Sequence, residues 1–183
     1  MPWRRWKSVS MLSRDALASL TSIPKDRRGS YPAAATLKDG SECPAVLFFE
    51  IGSKGQHFWI PRIGLLRTYF RFRPERMIDP SSVVSIHPSR FSIPPPIQNK
   101  IFEKLKWYGM GDIIPAKFIM QDGIQLIYEG VGTSAAVFIS LPSGFSNTNI
   151  VDVEQASYEE VEQSEKAGKK IMDQPFRLCM FQK

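Results

Sequence analysis

The segment IPAKFIMQDGIQLIYEGVGTSAAVFISL, residues 114–141, decides the fold that this sequence predicts. Apolar side chains alternate with other residues on both sides of the step Gln121-Asp122-Gly123, and a period of two is typical of β-strands. Asp-Gly pairs are common in the tight turns between antiparallel strands, because glycine adopts a positive φ without strain. The segment therefore predicts a β-hairpin, and the apolar run at 135–139 predicts a third strand that pairs with it as a meander.

A second Asp-Gly step, Asp39-Gly40, stands between apolar segments nearer the N-terminus. In both places a Pro-Ala pair precedes Asp-Gly by the same spacing, and the returning strand reaches a glutamate beside or near a glycine. This likeness predicts a degenerate internal duplication of a small β module, over residues 31–88 and 113–155. The alternative is coincidence, since Asp-Gly turns are common and few other positions match.

One helix is predicted before the first module and another between the two modules. Ser13 has the side chain of an N-cap for a short helix, and Pro24 is placed to end it. After three prolines at 94–96, the apolar residues Ile97, Ile101 and Leu105 recur at every fourth position. That stripe predicts a linking helix of about three turns between the modules.

A third helix and a last strand are predicted at the C-terminus. Ser157 and Glu160 have the spacing of a capping box, which opens a charged helix on the surface. Its apolar stripe is thin and consists of Val161, Ile171 and Met172. The alternating residues after this helix predict a strand that closes a sheet.

The predicted fold class is therefore α+β, with mainly antiparallel β meanders or SH3-like partial barrels, a linking helix and peripheral terminal helices. The predicted organisation along the chain is a basic N-terminal arm with a short helix at 1–30, a first β module at 31–93, the linking helix and turn at 94–111, a second β module at 112–156, and the C-terminal helix and closing strand at 157–183.

The composition is that of a globular protein. The chain has 183 residues, of which 43% are hydrophobic, so it can bury a core of its own. No apolar run approaches the roughly 18 residues that a membrane-spanning helix needs. The basic N-terminus is not followed by the apolar stretch of a signal peptide. We therefore expect a soluble protein of the cytoplasm that makes no membrane contact.

The formal charge of +6 is unevenly distributed. Residues 1–28 hold seven Lys and Arg side chains against two Asp, a local +5, which leaves +1 for the rest of the chain. Arg4, Arg5 and Lys7 form a basic arm that could bind phosphates or other anions. The alternative is a solvated basic terminus with no partner.

The residues that usually carry catalysis are few and scattered. The two histidines, His57 and His87, have no metal-ligand spacing, and Cys43 and Cys179 form no CxxC pair. No serine lies in a GxSxG motif. The GxG at 109–111 follows a predicted helix, whereas a nucleotide site needs a strand before the glycines and a helix after them. We predict no catalytic residue, no metal and no cofactor.

The most suggestive stretch for binding is LLRTYFRFR, residues 65–73. Successive side chains of a strand face opposite sides, so Arg67, Tyr69, Arg71 and Arg73 would share one face, and we call these four residues the arginine strip. Arginine matches the geometry of carboxylates and phosphates, and tyrosine can stack on a base. The alternative is an exposed sheet face whose arginines pair with acids of the same chain.

Three functions are compatible with these features. The favoured one is a non-catalytic interaction module, such as an adaptor, an inhibitor or an immunity factor, which binds an acidic surface of another protein through the arginine strip. The second is nucleic-acid binding through the arginine strip and the basic arm, although no RRM or KH signature accompanies them. The third is an enzyme whose site is assembled without a local motif.

Overall fold

The computed structural model describes residues 10–26, 29–51, 76–105, 113–132, 138–167 and 170–182. Within these ranges the chain forms three α-helices and ten strands in two five-stranded sheets, one of which curls into a half-barrel. The α+β class with a partial barrel is therefore confirmed. The chain divides into two compact units, one comprising Met1–Ser89 with Phe176–Lys183 and the other comprising Arg90–Pro175.

The first unit holds the N-terminal hairpin and, in addition, the last strand of the chain. Its described elements are α1 Arg14–Thr21, β1 Tyr31–Leu37, β2 Glu42–Ile51, β3 Met77–Ile78, β4 Val83–Pro88 and β10 Arg177–Gln182. β1 pairs antiparallel with both β2 and β4. β10 lies between β3 and β2 and runs parallel to both, so the strand order is β3-β10-β2-β1-β4.

The second unit repeats this plan with the hairpin that the opening segment predicts. Its described elements are α2 Pro95–Lys104, β5 Ile113–Met120, β6 Gln125–Gly132, β7 Ile139–Ser140, β8 Ile150–Gln155, α3 Tyr158–Lys166 and β9 Lys170–Asp173. β5 pairs antiparallel with β6 and β8, and β9 runs parallel to β6. The strand order β7-β9-β6-β5-β8 matches that of the first sheet, with the difference that β7 runs antiparallel to β9 whereas β3 runs parallel to β10.

The two hairpins turn in the same way. Gly40 and Gly123 have φ angles of +81° and +82°, in the region that favours glycine. The Asp39 and Asp122 carboxylates each accept a hydrogen bond from the main-chain N–H two residues on, at 2.9 and 3.0 Å. Such Asx turns are the local reason why Asp-Gly ends one strand and begins the next.

The pairing of the outer strands also corresponds. In the first sheet Thr36 pairs with Ser85 and Leu37 with Val83, so Val84 is the extra residue of a β-bulge. In the second sheet Met120 pairs with Ile150 and the preceding residue with Asp152, which leaves Val151 as the extra residue. The two segments thus share their strand order, turns and bulge, as the duplication hypothesis predicts.

The correspondence includes the helix that precedes each hairpin. α1 packs against β4 and α2 packs against β8. The buried stripes have the same spacing, with Leu12, Ala16 and Leu20 in the first unit and Ile93, Ile97 and Ile101 in the second. Each helix therefore belongs to the core of its own unit, although the sequence pattern assigns one to an arm and the other to a linker.

Two predictions for the C-terminal half are wrong in detail. The sequence predicts that the run at 135–139 pairs with the hairpin as a third meander strand, but β9 occupies the place beside β6, and β7 pairs with β9. Residues 135–137 of that run lie outside the described residues. The predicted helical stripe includes Ile171 and Met172, but α3 ends at Lys166 and both residues lie in β9. Short apolar runs fit a strand as well as a helix, so periodicity alone does not separate them.

Candidate functional site

The residues that the sequence selects for binding lie outside the described residues. This applies to the arginine strip, Arg67, Tyr69, Arg71 and Arg73, and to the basic arm, Arg4, Arg5 and Lys7. Both sets belong by sequence to the first unit. Their role stays a prediction, and the excess of basic residues in the first unit lies outside the described ranges, within which this unit holds five Lys and Arg against six Asp and Glu.

The cysteines and the described histidine do not form a metal site within the described ranges. Cys43 and Cys179 are free thiols buried in the first unit, and burial raises the pKa of both. A thiol whose pKa is raised forms less thiolate, so neither has the character of a nucleophile. His87 is exposed on β4, and no group of three metal-ligating side chains occurs within the described ranges.

The second unit places Lys100, Lys104 and Lys117 against acids. On the α3 side of the sheet, the Lys117 ammonium donates to Glu160 at 2.9 Å and lies 3.6 Å from Glu154. The hydrogen bond to Glu160 raises the pKa of Lys117. The pKa of Glu160 is lowered mainly by the hydrogen bond from the Ser157 main-chain N–H and secondly by the contact with Lys117. The Glu160 main-chain N–H in turn donates to the Ser157 hydroxyl, and these two hydrogen bonds form the predicted capping box at α3.

A second charged cluster lies where α2 packs on β8. The Lys104 ammonium donates to both Asp152 oxygens, at 2.7 and 2.6 Å, and Lys100 lies 3.3 Å from the same carboxylate. Lys100 also donates to the main-chain oxygen of Val151 at 2.9 Å. The Lys104 hydrogen bond lowers the pKa of Asp152 to about 2, so this acid is ionised throughout the physiological range.

The first unit carries an excess of positive charge. It contains sixteen Lys and Arg against seven Asp and Glu, a formal +9, whereas the second unit contains eight against eleven, a formal −3, and together they give the +6 of the chain. Within its described residues the ion pair of the first unit is Lys25 with Glu50, at 3.8 Å. Positive charge is therefore concentrated in one of two units that share a fold.

The described site that sequence reasoning did not select is the pair of outer strand edges. Among the described strands, β4 and β8 each lie at the end of their sheet and each expose the bulged valine, with Val84 53% and Val151 46% exposed. The signal was present in the sequence, because 83–86 and 150–153 are corresponding pieces of the duplication. What the pattern alone could not show was that these pieces form the outer strands of their sheets.

No protein-family model, no curated protein and no solved structure matches this chain. Among the described residues, none of the helices is both long and apolar enough to cross a membrane. The chain is an α+β protein of two units, and the first unit has a basic formal charge.

Proposed function

We propose that this protein is a non-catalytic interaction module whose partner is another protein with an acidic surface. The observation that carries the proposal is the contrast between +9 and −3 in two units of the same topology. A shared fold needs the same core and turns in both units, so it does not account for a difference of charge. A field of one sign on one unit attracts and orients a partner of opposite charge.

The basic groups expected to make the contact are the arginine strip, with the arm as a second element. Arginine suits carboxylate recognition because its planar guanidinium can donate two parallel hydrogen bonds to one carboxylate. The contact is expected to involve Arg67, Arg71 and Arg73 together, since an isolated exposed ion pair contributes only about 0 to 1 kcal/mol. An adaptor, an inhibitor or an immunity factor would each use such a surface.

Nucleic acid is the second candidate, and the +5 of residues 1–28 is the observation that favours it. The two candidates differ in their response to salt. Several phosphate contacts would release counterions, so the affinity for single-stranded DNA or RNA would fall with a log-log slope near −0.7 per phosphate neutralised. A shallow slope, or no binding at about 50 mM salt, would remove this candidate.

The direct test is a pull-down from lysate of the source cell, with and without nuclease, using the intact chain and a variant with Arg67, Arg71 and Arg73 all changed to Glu. We expect a nuclease-resistant protein partner that the variant loses. The matched control changes Lys166, Lys169 and Lys170 to Glu, which alters the net charge equally but in the second unit, and it should retain the partner. Equal retention or equal loss by both variants would refute the assignment to the arginine strip.

The proposal includes a cytoplasmic location for the protein and its partner. Fractionation of the source cell followed by immunoblotting tests it. Recovery of the protein in a membrane or secreted fraction would require a partner in that compartment instead.

A further inference from the structure

The outer strands β4 and β8 pair with their sheets in the same way, but lysine side chains contact the outer side of β8 and not that of β4 within the described residues. In the second unit, Lys100 donates to the Val151 main-chain oxygen, and Lys104 holds the Asp152 carboxylate beside it. A lysine that uses a main-chain acceptor and places charge beside a strand prevents a further strand from pairing there. The edge of β8 is therefore protected by α2.

The helix of the first unit has no lysine in the same places. Superposing the buried stripes of α1 and α2 puts Ser19 at the position of Lys100 and Ile23 at the position of Lys104. Ser19 is exposed and Ile23 is buried in the first core. The helix that packs on β4 thus lacks the two cations that protect β8.

The strand itself lacks the matching acids. Ser85 pairs with β1 where Asp152 pairs with β5, and His87 stands where β8 has Glu154. The Ser85 hydroxyl donates to Thr36 at 3.0 Å and so faces its own sheet neighbour. Within the described part of the chain, no side chain donates a hydrogen bond to a main-chain oxygen of β4, and the strand has a neighbour on one side alone.

We propose that the free edge of β4, residues 84–87, binds an extended acidic segment of the partner protein as an added strand. This inference rests on the proposed function and names the form of the partner. Main-chain hydrogen bonds give strand addition its affinity, and alternate side chains give it selectivity. The unit as a whole has a formal charge of +9, carried by residues outside the described ranges, and a net charge of this sign favours an acidic segment over a second copy of the same strand. Pro88 lacks an N–H and ends the edge, so the contact is short and weak on its own.

The test is a titration of the isotopically labelled full-length protein with a capped peptide of eight alternating glutamates and valines, followed by amide NMR spectra. We expect saturable shifts of the β4 amides from Val84 to His87, with β8 amides unchanged. The Ser19→Lys variant copies the protection found on β8, and it should weaken binding at least about tenfold, a change of about 1.4 kcal/mol. Ala18→Lys, on the same exposed helix, is the matched control and should leave binding intact.

The charge of the new lysine makes the result unambiguous. An added cation would strengthen a purely electrostatic attraction to the glutamates, so a loss of binding in Ser19→Lys alone identifies the strand edge. No shifts in β4, equal binding by Ser19→Lys and the parent, or equal binding of a lysine-valine peptide would each overturn the inference. Concentration-dependent β4 shifts without peptide would show a second copy at the edge and would also overturn it.

The two proposals fail separately. If the pull-down captures a protein partner equally with the parent and with Ser19→Lys, the proposed function stands and the strand edge is not the contact. If no protein is captured but the acidic peptide shifts β4, the edge binds extended segments while the proposed acidic protein partner is wrong.

Discussion

Replacing Gly123 with Val tests the turn that organises the second hairpin. Gly123 has φ +82°, and a Cβ atom added there would meet no heavy atom within 4 Å, so the substitution strains the backbone without a steric clash. An L-residue in the left-handed region costs roughly 1–2 kcal/mol. The unfolded state also changes, because valine restricts it more than glycine does, but where φ is incompatible the strain is the larger effect. We expect a loss of about 1 kcal/mol or more in the free energy of unfolding.

Urea unfolding followed by circular dichroism measures this loss, and the molecule provides its own replicate. Gly40 has φ +81° and the same open space, so Gly40→Val should cost a similar amount in the first unit. Gly123→Asn is the matched control, since asparagine tolerates the left-handed region, and it should cost clearly less than valine. An unchanged unfolding curve for Gly123→Val, or an asparagine variant as unstable as the valine variant, would refute the turn assignment.

Two further predictions concern the second unit. Because the Lys104 hydrogen bond lowers the pKa of Asp152 from 3.8 to about 2, the carboxylate stabilises the fold above about pH 4 and loses this contribution as the pH falls towards 2. Asp152→Asn should therefore lower the free energy of unfolding at pH 7 by on the order of 1 kcal/mol, because solvent weakens ion pairs with partly exposed lysines. The urea midpoints of the variant at pH 7 and pH 2.5 should differ less than those of the parent protein. Ser157→Ala removes the cap of α3 and should cost about 1 kcal/mol in urea unfolding, whereas Ser157→Gly should cost only a few tenths; equal losses would contradict the capping box.

The hairpins and helix starts could be predicted because their causes are local. Asp-Gly fixes each turn within four residues, and Ser13 and Ser157 cap helices through contacts three residues away. The parallel strands could not be predicted in the same way. β10 pairs with β2 across more than a hundred residues of chain, and nothing in either strand alone specifies its partner.

The binding site was less predictable than the fold. The sequence pattern selected basic residues by type, which shows their charge but not their surroundings. The protection of β8 depends on Lys100 and Val151, which lie far apart in sequence and meet only when α2 packs on the strand. Such a contact has no short motif, so it becomes apparent only in the folded second unit.

Features that both units share are those that the fold requires, and features that differ between them are not required by it. The apolar stripes and the positive-φ glycines recur in both units because the core and the turns depend on them. The charges do not recur, and the most consequential difference lies at Ser85 and Asp152, where one outer strand is neutral and the other is held by lysines. An open strand edge is an aggregation risk that proteins normally protect against. Two lysines of α2 contact β8, and α1 has no lysine at the equivalent positions, so the neutral edge of β4 is the surface at which we expect a partner to bind.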